Sequence, residues 1–393
     1  MITAIDVEVR ASAQLLLAHA SFRIAAGDKV GLVGRNGAGK TTLTRILAGE
    51  AQPAGGTVTR TGSVGYLPQD PRTGNPEISA RDRILSARGL DAVVAGMRAA
   101  ELQIASADLS AHERGMSRYA RLESEFVTHG GYAAESQAAT IAANLGLPER
   151  VLEQPLRTLS GGQRRRVELS RILFSEAGTL LLDEPTNHLD ADSIGWLRDF
   201  LRGFAGGIVV ISHDVALLDR TVTRVFHLDA NRAALDIYNV GWTAYLQQRE
   251  TDERRRHRER ANAEKKAAAL KAQANRMRYK ATKATAAQNM DRRAERLLAG
   301  LEAKRRADKV ARLRFPQPAP CGRTPLSATG LSKSYGSLEV FTDVDLAIDR
   351  GSRVVVLGLN GAGKTTLLRL LSSIEQPDTG EVTAGHGLKL GYY

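Results

Sequence analysis

Apolar residues change their spacing several times along this chain, and each change marks an element or a boundary. Residues Ile2–Ile24 read as β-rich, and a buried strand follows at Lys29-Val30-Gly31-Leu32-Val33. A glycine-rich loop separates that strand from a helix expected from about Lys40. From about Ala80 to Leu147 the pattern turns helical and amphipathic, with Gly130-Gly131 and Pro148 as punctuation. Two further apolar runs, Leu180–Leu182 and Gly207–Ile211, are strand-sized and predict buried strands. Strands alternating with helices in this way predict a mixed α/β core carrying a helical insertion.

After Trp242 the pattern fades. Gly and Pro nearly vanish until Gly300, while Ala, Arg, Lys, Glu and Gln dominate. Such a composition favours helix by propensity but offers too little apolar surface for an independent core. The expectation is a hairpin of two long helices, turning near 276–286, with a thin stripe of Leu297, Leu298 and Leu301 against the partner helix. Phe315-Pro316-Gln317-Pro318-Ala319-Pro320 ends the helix as a stiff hinge. A new segment begins near Thr324 and repeats an earlier one: residues 27–59 return at 351–383 with a fixed offset of 324, more than half of the positions identical. A repeat this long signals two copies of one domain. The chain is therefore divided into 1–241, 242–323 and 324–393.

Charge sharpens the middle segment. The net charge is +12, but Arg249–Arg314 holds 22 Lys/Arg against 9 Asp/Glu, so the remainder is close to neutral. Between Glu264 and Asp291 stand Lys265, Lys266, Lys271, Arg276, Arg278, Lys280 and Lys283 with no acidic residue among them. An ordinary charge run is a solvated helix face; one this one-sided points to a polyanionic partner. No apolar run approaches the roughly 20 residues that span a bilayer. The first residues show no basic stretch leading into an apolar one, and the single Cys321 allows no internal disulfide, so a cytoplasmic location is expected.

The chemistry sits in the repeat. Gly34-Arg35-Asn36-Gly37-Ala38-Gly39-Lys40-Thr41, followed by Thr42, matches the phosphate-binding pattern GxxxxGK[ST] between a strand and a helix. Its glycines let backbone N–H groups face phosphates at a helix N-terminus. Lys40 suits the β- and γ-phosphates, and the Thr41 hydroxyl suits Mg²⁺. The second copy supplies Gly358, Asn360, Gly361, Ala362, Gly363, Lys364, Thr365 and Thr366, with Thr365 as its Mg²⁺ hydroxyl. One such match carries a false-positive risk; two in duplicated contexts do not.

Further motifs resemble those of ATP-binding-cassette (ABC) proteins. Leu159-Ser160-Gly161-Gly162-Gln163 is similar to the family's signature, and Thr179-Leu180-Leu181-Leu182-Asp183-Glu184 to its Walker B strand and catalytic glutamate. Gln69 in GYLPQD stands where the family has its Q-loop, His213 in VISHD where it has its switch histidine, and Asp190 where it has its D-loop. The resemblance covers nearly the whole chain. It implies a P-loop NTPase fold: an ABC cassette with a helical subdomain, a long α-helical hairpin linker and a partial second cassette. By the same resemblance Asp183 holds Mg²⁺ near Thr41 and Gln69, Glu184 orients or deprotonates the attacking water, and His213 senses the γ-phosphate. Ser160, Gly161, Gly162 and Gln163 close over ATP held by an opposite cassette. Tyr335 resembles the aromatic that stacks on adenine; the first copy has Ala11 at the matching place, which leaves its base contact open.

The string DEPTNHLD at 183–190, two cassettes in one chain and the basic linker resemble the ABC-F branch, whose members act on ribosomes. That implies an ATPase whose linker meets rRNA or tRNA phosphates, in translation control or in protection from ribosome-targeting antibiotics. Aromatics are scarce at the tip, with Tyr279 alone, so base stacking is not expected there. The alternative is the ATP-binding subunit of a transporter docking on a separate membrane protein. A third class is a nucleic-acid-associated ATPase outside translation, such as a repair factor; the chain has no zinc-type Cys pairs to support it. Tyr392 corresponds to Tyr66, just before Gln69, so the expectation is a longer protein by about 150 residues, as typical domain size suggests. The other expectation is pairing of two first cassettes between chains, since each carries both Lys40 and Ser160.

Overall fold

The computed structural model describes residues 1–12, 14–69, 74–106, 108–128, 130–278, 284–299, 320–336, 338–358 and 361–393. The chain forms two compact units, Met1–Ala307 and Asp308–Tyr393. The first is built on two sheets. Strands β1 (Ile2–Ala11) and β2 (Gln14–Ile24) pair antiparallel and join β4 (Gly55–Arg60) in a sheet of order β2-β1-β4. The larger sheet contains β3 (Lys29–Gly34), β5 (Val64–Leu67), β6 (Thr179–Asp183), β7 (Gly207–Ile211), β8 (Arg224–Asp229) and β9 (Ala234–Tyr238) in the order β5-β6-β7-β3-β8-β9. All neighbours in it run parallel except the β8–β9 hairpin. Strands β6 and β7 are buried at every residue, which is why their sequences are continuous apolar runs rather than alternating ones.

Helix α1 (Lys40–Ala48) packs Leu43, Ile46 and Leu47 into the core between the two sheets. The expected helical insertion is α2 (Ala80–Leu85), α3 (Leu90–Ile104), α4 (Leu109–Thr128), α5 (Gly131–Asn144) and α6 (Glu149–Leu152), with Gly130 in the left-handed region opening α5. Helix α7 (Gly161–Phe174) returns the chain to the sheet, followed by α8 (Ala191–Gly203) and α9 (Val215–Thr221). A second apolar core joins α2, α5 and α7 to the sheet. Within it Glu168 is buried between Arg83 and Arg171 and pins α7 to α2.

The basic segment forms α10 (Trp242–Arg278) and α11 (Ala284–Ala299), which pack against each other. Among the described side chains of the two helices beyond Tyr245, Ala267, Ala274 and Ala294 are buried and Leu297 is half-buried. The turn, with Tyr279, Lys280 and Lys283, lies outside the described residues, as do Leu301, the 315–319 part of the proline-rich stop and the side chains of Arg278 and Leu298. At its start α10 is rooted in the first unit: Tyr245 is buried, with its ring 5.1 Å from Tyr238, 5.4 Å from Trp242 and 6.2 Å from His227.

In the second unit β10 (Leu326–Tyr335), β11 (Leu338–Ile348) and β12 (Thr379–Ala384) form a sheet of order β11-β10-β12, and α12 (Lys364–Leu371) packs Leu371 on it. This repeats β2-β1-β4 and α1. The counterpart of β3 differs: residues 352–358 form no strand, and Val355 and Leu357 are 75% and 86% exposed. In the first unit the same segment is a strand because β7 and β8 flank it.

Both tryptophans, Trp196 and Trp242, lie in the first unit, so tryptophan fluorescence follows that unit alone. Tyr245→Ala removes a fully buried ring and is expected to destabilise this transition by about 3–5 kcal/mol in urea unfolding. A midpoint equal to the native one would mean that α10 is not anchored through this ring.

Candidate functional site

Four parallel strands of the larger sheet end at one edge, and each hands over to a predicted site residue. Strand β3 leads into the phosphate loop, β5 into Gln69, β6 into Asp183 and Glu184, and β7 into Ser212 and His213. The register fixes their depth: Leu67 pairs with Leu182, Asp183 with Ile211, and Gly31 with Val210. The open edge at the C-terminal ends of parallel strands is where α/β sheets bind ligands.

The loop has the backbone that its glycines allow. Gly39 caps α1 at φ 96°, and a Cβ there would lie 2.8 Å from Leu16 Cδ1. At Gly34 a Cβ would meet the Leu228 carbonyl oxygen at 2.6 Å. Asn36 and Gly37 are exposed, and Ala38 is buried. Lys40 Nζ spans the loop, donating to the carbonyls of Gly34 (2.8 Å) and Arg35 (3.3 Å). Burial lowers its pKa, while Glu184 and Asp183 pull it back up. Thr42 follows in the first turn of α1, half-buried.

Thr41 and Asp183 meet directly, Thr41 Oγ1 donating to Asp183 Oδ2 at 2.7 Å. One hydroxyl and one carboxylate, both oxygen donors, fit a hard divalent cation such as Mg²⁺. Burial raises the Asp183 pKa, and Thr41, Arg165 and Lys40 oppose that rise. Gln69 is exposed, its main-chain carbonyl held by the Arg165 guanidinium.

Glu184 is 7% exposed and sits at φ 51°, a left-handed conformation that costs a non-glycine residue about 1–3 kcal/mol. Four hydrogen bonds hold it there, one of them from the Asn187 N–H to its carbonyl (3.3 Å). Its N–H donates to the Ile211 carbonyl (2.8 Å), its Oε2 accepts from the His213 N–H (3.3 Å), and its carbonyl accepts from Arg165 (2.8 Å). His213 Nε2 stands 3.4 Å from Glu184 Oε1, and the His213 ring is otherwise exposed. Burial raises the Glu184 pKa, and His213 partly offsets it. A buried carboxyl with a raised pKa beside an imidazole is poised to take a proton from water.

Ser160 opens α7 with a reciprocal cap: Gln163 N–H donates to Ser160 Oγ (3.2 Å) and Ser160 N–H to Gln163 Oε1 (2.9 Å). Ser160 and Gly161 are exposed, and Gly162 packs beside His188. Asp190 caps α8 through Ser193 N–H (2.9 Å). In the second unit the loop geometry recurs, with Gly361 at φ 88°, Gly363 at φ 82° and Lys364 Nζ donating to the Gly358 carbonyl (2.7 Å). Ala362 and Thr365 are exposed there and Thr366 is half-buried; Asn360 lies outside the described residues. Tyr335 ends β10 as Ala11 ends β1, and its hydroxyl donates to Glu375. The motifs did not single out Arg165, the middle of three consecutive arginines after Gln163, which the structure buries against Gln69, Asp183 and Glu184.

A phosphate loop, a hydroxyl–carboxylate pair and a glutamate–histidine pair on four parallel strand ends define a P-loop nucleotide-binding cassette. The profile of the family described as "ABC transporter" matches residues 17–187 and 341–390, and a second profile of the same description matches 228–315. The chain belongs to this family. It is 33% identical to "Probable ATP-binding protein YheS" of Escherichia coli strain K12, over all of this chain and 60% of that protein. It is 35% identical to "Energy-dependent translational throttle protein EttA" of Haemophilus influenzae strain Rd, over 95% of this chain and 66% of that protein. The chain thus spans about two thirds or less of the length of these relatives. A solved "Structure of ATP binding subunit of ABC transporter" is 20% identical, covering 59% of this chain and 88% of its own, with a TM-score of 0.44. The matches to YheS and EttA agree with the ABC-F resemblance read from the motifs.

A carboxyl with a raised folded pKa prefers to be protonated in the fold, so its ionisation costs stability as pH rises above the ordinary carboxylate range. Glu184→Gln is therefore expected to raise the melting temperature at pH 7, with the gain fading below about pH 4. Equal melting temperatures of the two chains at both pH values would show that Glu184 carries no buried charge.

Proposed function

We propose that this chain is an ATP-binding and ATP-hydrolysing ABC-F protein acting on the ribosome, with its basic linker set against rRNA or tRNA phosphates. The reading is supported above all by the pairing of Thr41 with Asp183 and of His213 with Glu184 beside one phosphate loop. ATP binds with its phosphates over the loop of Gly34–Thr41, Lys40 turning from the loop carbonyls to the β- and γ-phosphates. Thr41, Asp183 and Gln69 would hold Mg²⁺, which would neutralise charge on the phosphate oxygens. Glu184 orients the attacking water and accepts its proton, and His213 contacts the γ-phosphate. In the second unit Lys364 and Thr365 take the same parts, with adenine on Tyr335. Ser160, Gly161, Gly162 and Gln163, at the exposed start of α7, reach over ATP of an opposite cassette, and Asp190 links the sites. That opposite cassette belongs to the same protein or to a second copy.

The functional division is 1–241 for the first cassette, 242–323 for the linker and 324–393 for the second cassette. Charge along α10 supports the linker's role. Near its root, Arg249–Glu253, Arg254–Glu250, Arg255–Asp252 and Arg260–Glu264 form ion pairs three or four residues apart. Beyond Glu264, Lys265, Lys266, Lys271 and Arg276 are exposed on a stretch without acidic residues. Positive charge therefore grows away from the cassette. Phosphate neutralisation needs only such an exposed basic element, without base contacts. No described helix is long and apolar enough to cross a membrane. The location proposed is the cytoplasm.

Replacing Lys265, Lys266, Lys271 and Arg276 by Gln should weaken co-sedimentation with ribosomes and flatten its salt dependence, by up to about 3 in the log–log slope. Lys40→Ala should abolish nucleotide binding at the first site. An unchanged slope would remove the linker from the interface, and recovery with membranes instead of ribosomes would favour the transporter-subunit alternative.

A further inference from the structure

Arg165 is 6% exposed and lies two residues past Gln163, in the first turns of α7. Its guanidinium reaches main-chain carbonyls on two other segments. Nη1 donates to Gln69, and Nη2 donates to Asp183 (2.8 Å) and to Glu184 (2.8 Å). Two of these carbonyls belong to residues whose side chains meet the phosphate edge, Asp183 at Thr41 and Glu184 at His213, and the third to Gln69 just past the end of β5. A carbonyl acceptor fixes the peptide plane, and the peptide plane fixes where the next side chain points. This matters most at Glu184, whose left-handed backbone must be held by its surroundings. Arginine suits the task because its planar fork stays charged when buried and donates in several fixed directions at once. A lysine in its place offers one compact charge and cannot span the three acceptors.

We propose that Arg165 is a positioning residue that holds Gln69, Asp183 and Glu184 as one unit and ties that unit to the helix presenting Ser160–Gln163. The proposal rests on the assignment of those three residues to the metal ion and the attacking water. It carries a consequence for coupling between sites. The start of α7 serves the opposite cassette, while Arg165 on the same helix holds this cassette's own carboxylates. A pull on Ser160 therefore reaches the Glu184 backbone through one side chain.

The test is the affinity of the full chain for a fluorescent ATP analogue in Mg²⁺ and in EDTA, for the native protein, Arg165→Met, Arg165→Lys and Asp183→Asn. The ratio of the two affinities reports how well the site holds the metal. In Arg165→Met the affinity in EDTA should stay near native, since the phosphate loop is untouched, and the ratio should fall about tenfold, as for other groups that orient metal ligands. Arg165→Lys should fall between. A uniform loss in both conditions would indicate general destabilisation and overturn the proposal. So would a native ratio in Arg165→Met alongside a reduced one in Asp183→Asn. A native ratio in Asp183→Asn as well would instead remove the metal assignment on which the proposal stands. Should Arg165→Met fail to fold, Arg165→Lys decides, and a native ratio in it overturns the proposal.

Discussion

The structure depends on the parallel pairing of β5, β6, β7 and β3. Parallel neighbours end at the same edge, so residues far apart in sequence, Gly34, Gln69, Asp183 and His213, are delivered to one place by backbone hydrogen bonds alone. The pairing also sets the chemistry of the buried strands. With both faces covered, β6 runs through three leucines after Thr179, and Asp183 arrives at the point where the sheet opens. Burial then raises the pKa values of Asp183 and Glu184, and the groups that oppose the rise, Thr41, Lys40, Arg165 and His213, are those the neighbouring strands and α7 bring alongside.

This edge was readable from sequence because its residue types are restricted by phosphate chemistry. A loop that offers its backbone to phosphates needs glycines at set spacings, and a strand that ends in two carboxylates after three leucines admits few other readings. The buried strands were readable for a related reason: continuous apolar runs leave no ambiguity about which face is solvated. Arg165 was not readable, because its partners are main-chain carbonyls, and any residue can supply a carbonyl. The Glu184 backbone conformation was equally invisible, since nothing in a glutamate announces a left-handed φ.

The linker was read correctly as helical and basic. Ala267, Ala274 and Ala294 are buried in it, and a composition poor in large apolar residues can still close two helices where small side chains bring the backbones together. In the second unit residues 351–383 repeat 27–59, and 352–358 form no strand, whereas β3 in the first unit lies between β7 and β8.

The aromatic root of α10 has a mechanical meaning. With 37 residues the helix is roughly 55 Å long, and it is clamped near one end by Tyr238, Trp242 and Tyr245. A tilt of about 5° at that clamp carries the far end through about 5 Å, the distance of one helical turn. The clamp rests on β8 and β9, and β8 runs beside β3, whose end is the phosphate loop. The helix is in this sense a long lever on a short fulcrum, and a small rotation at β8 and β9 becomes a large displacement at Arg278.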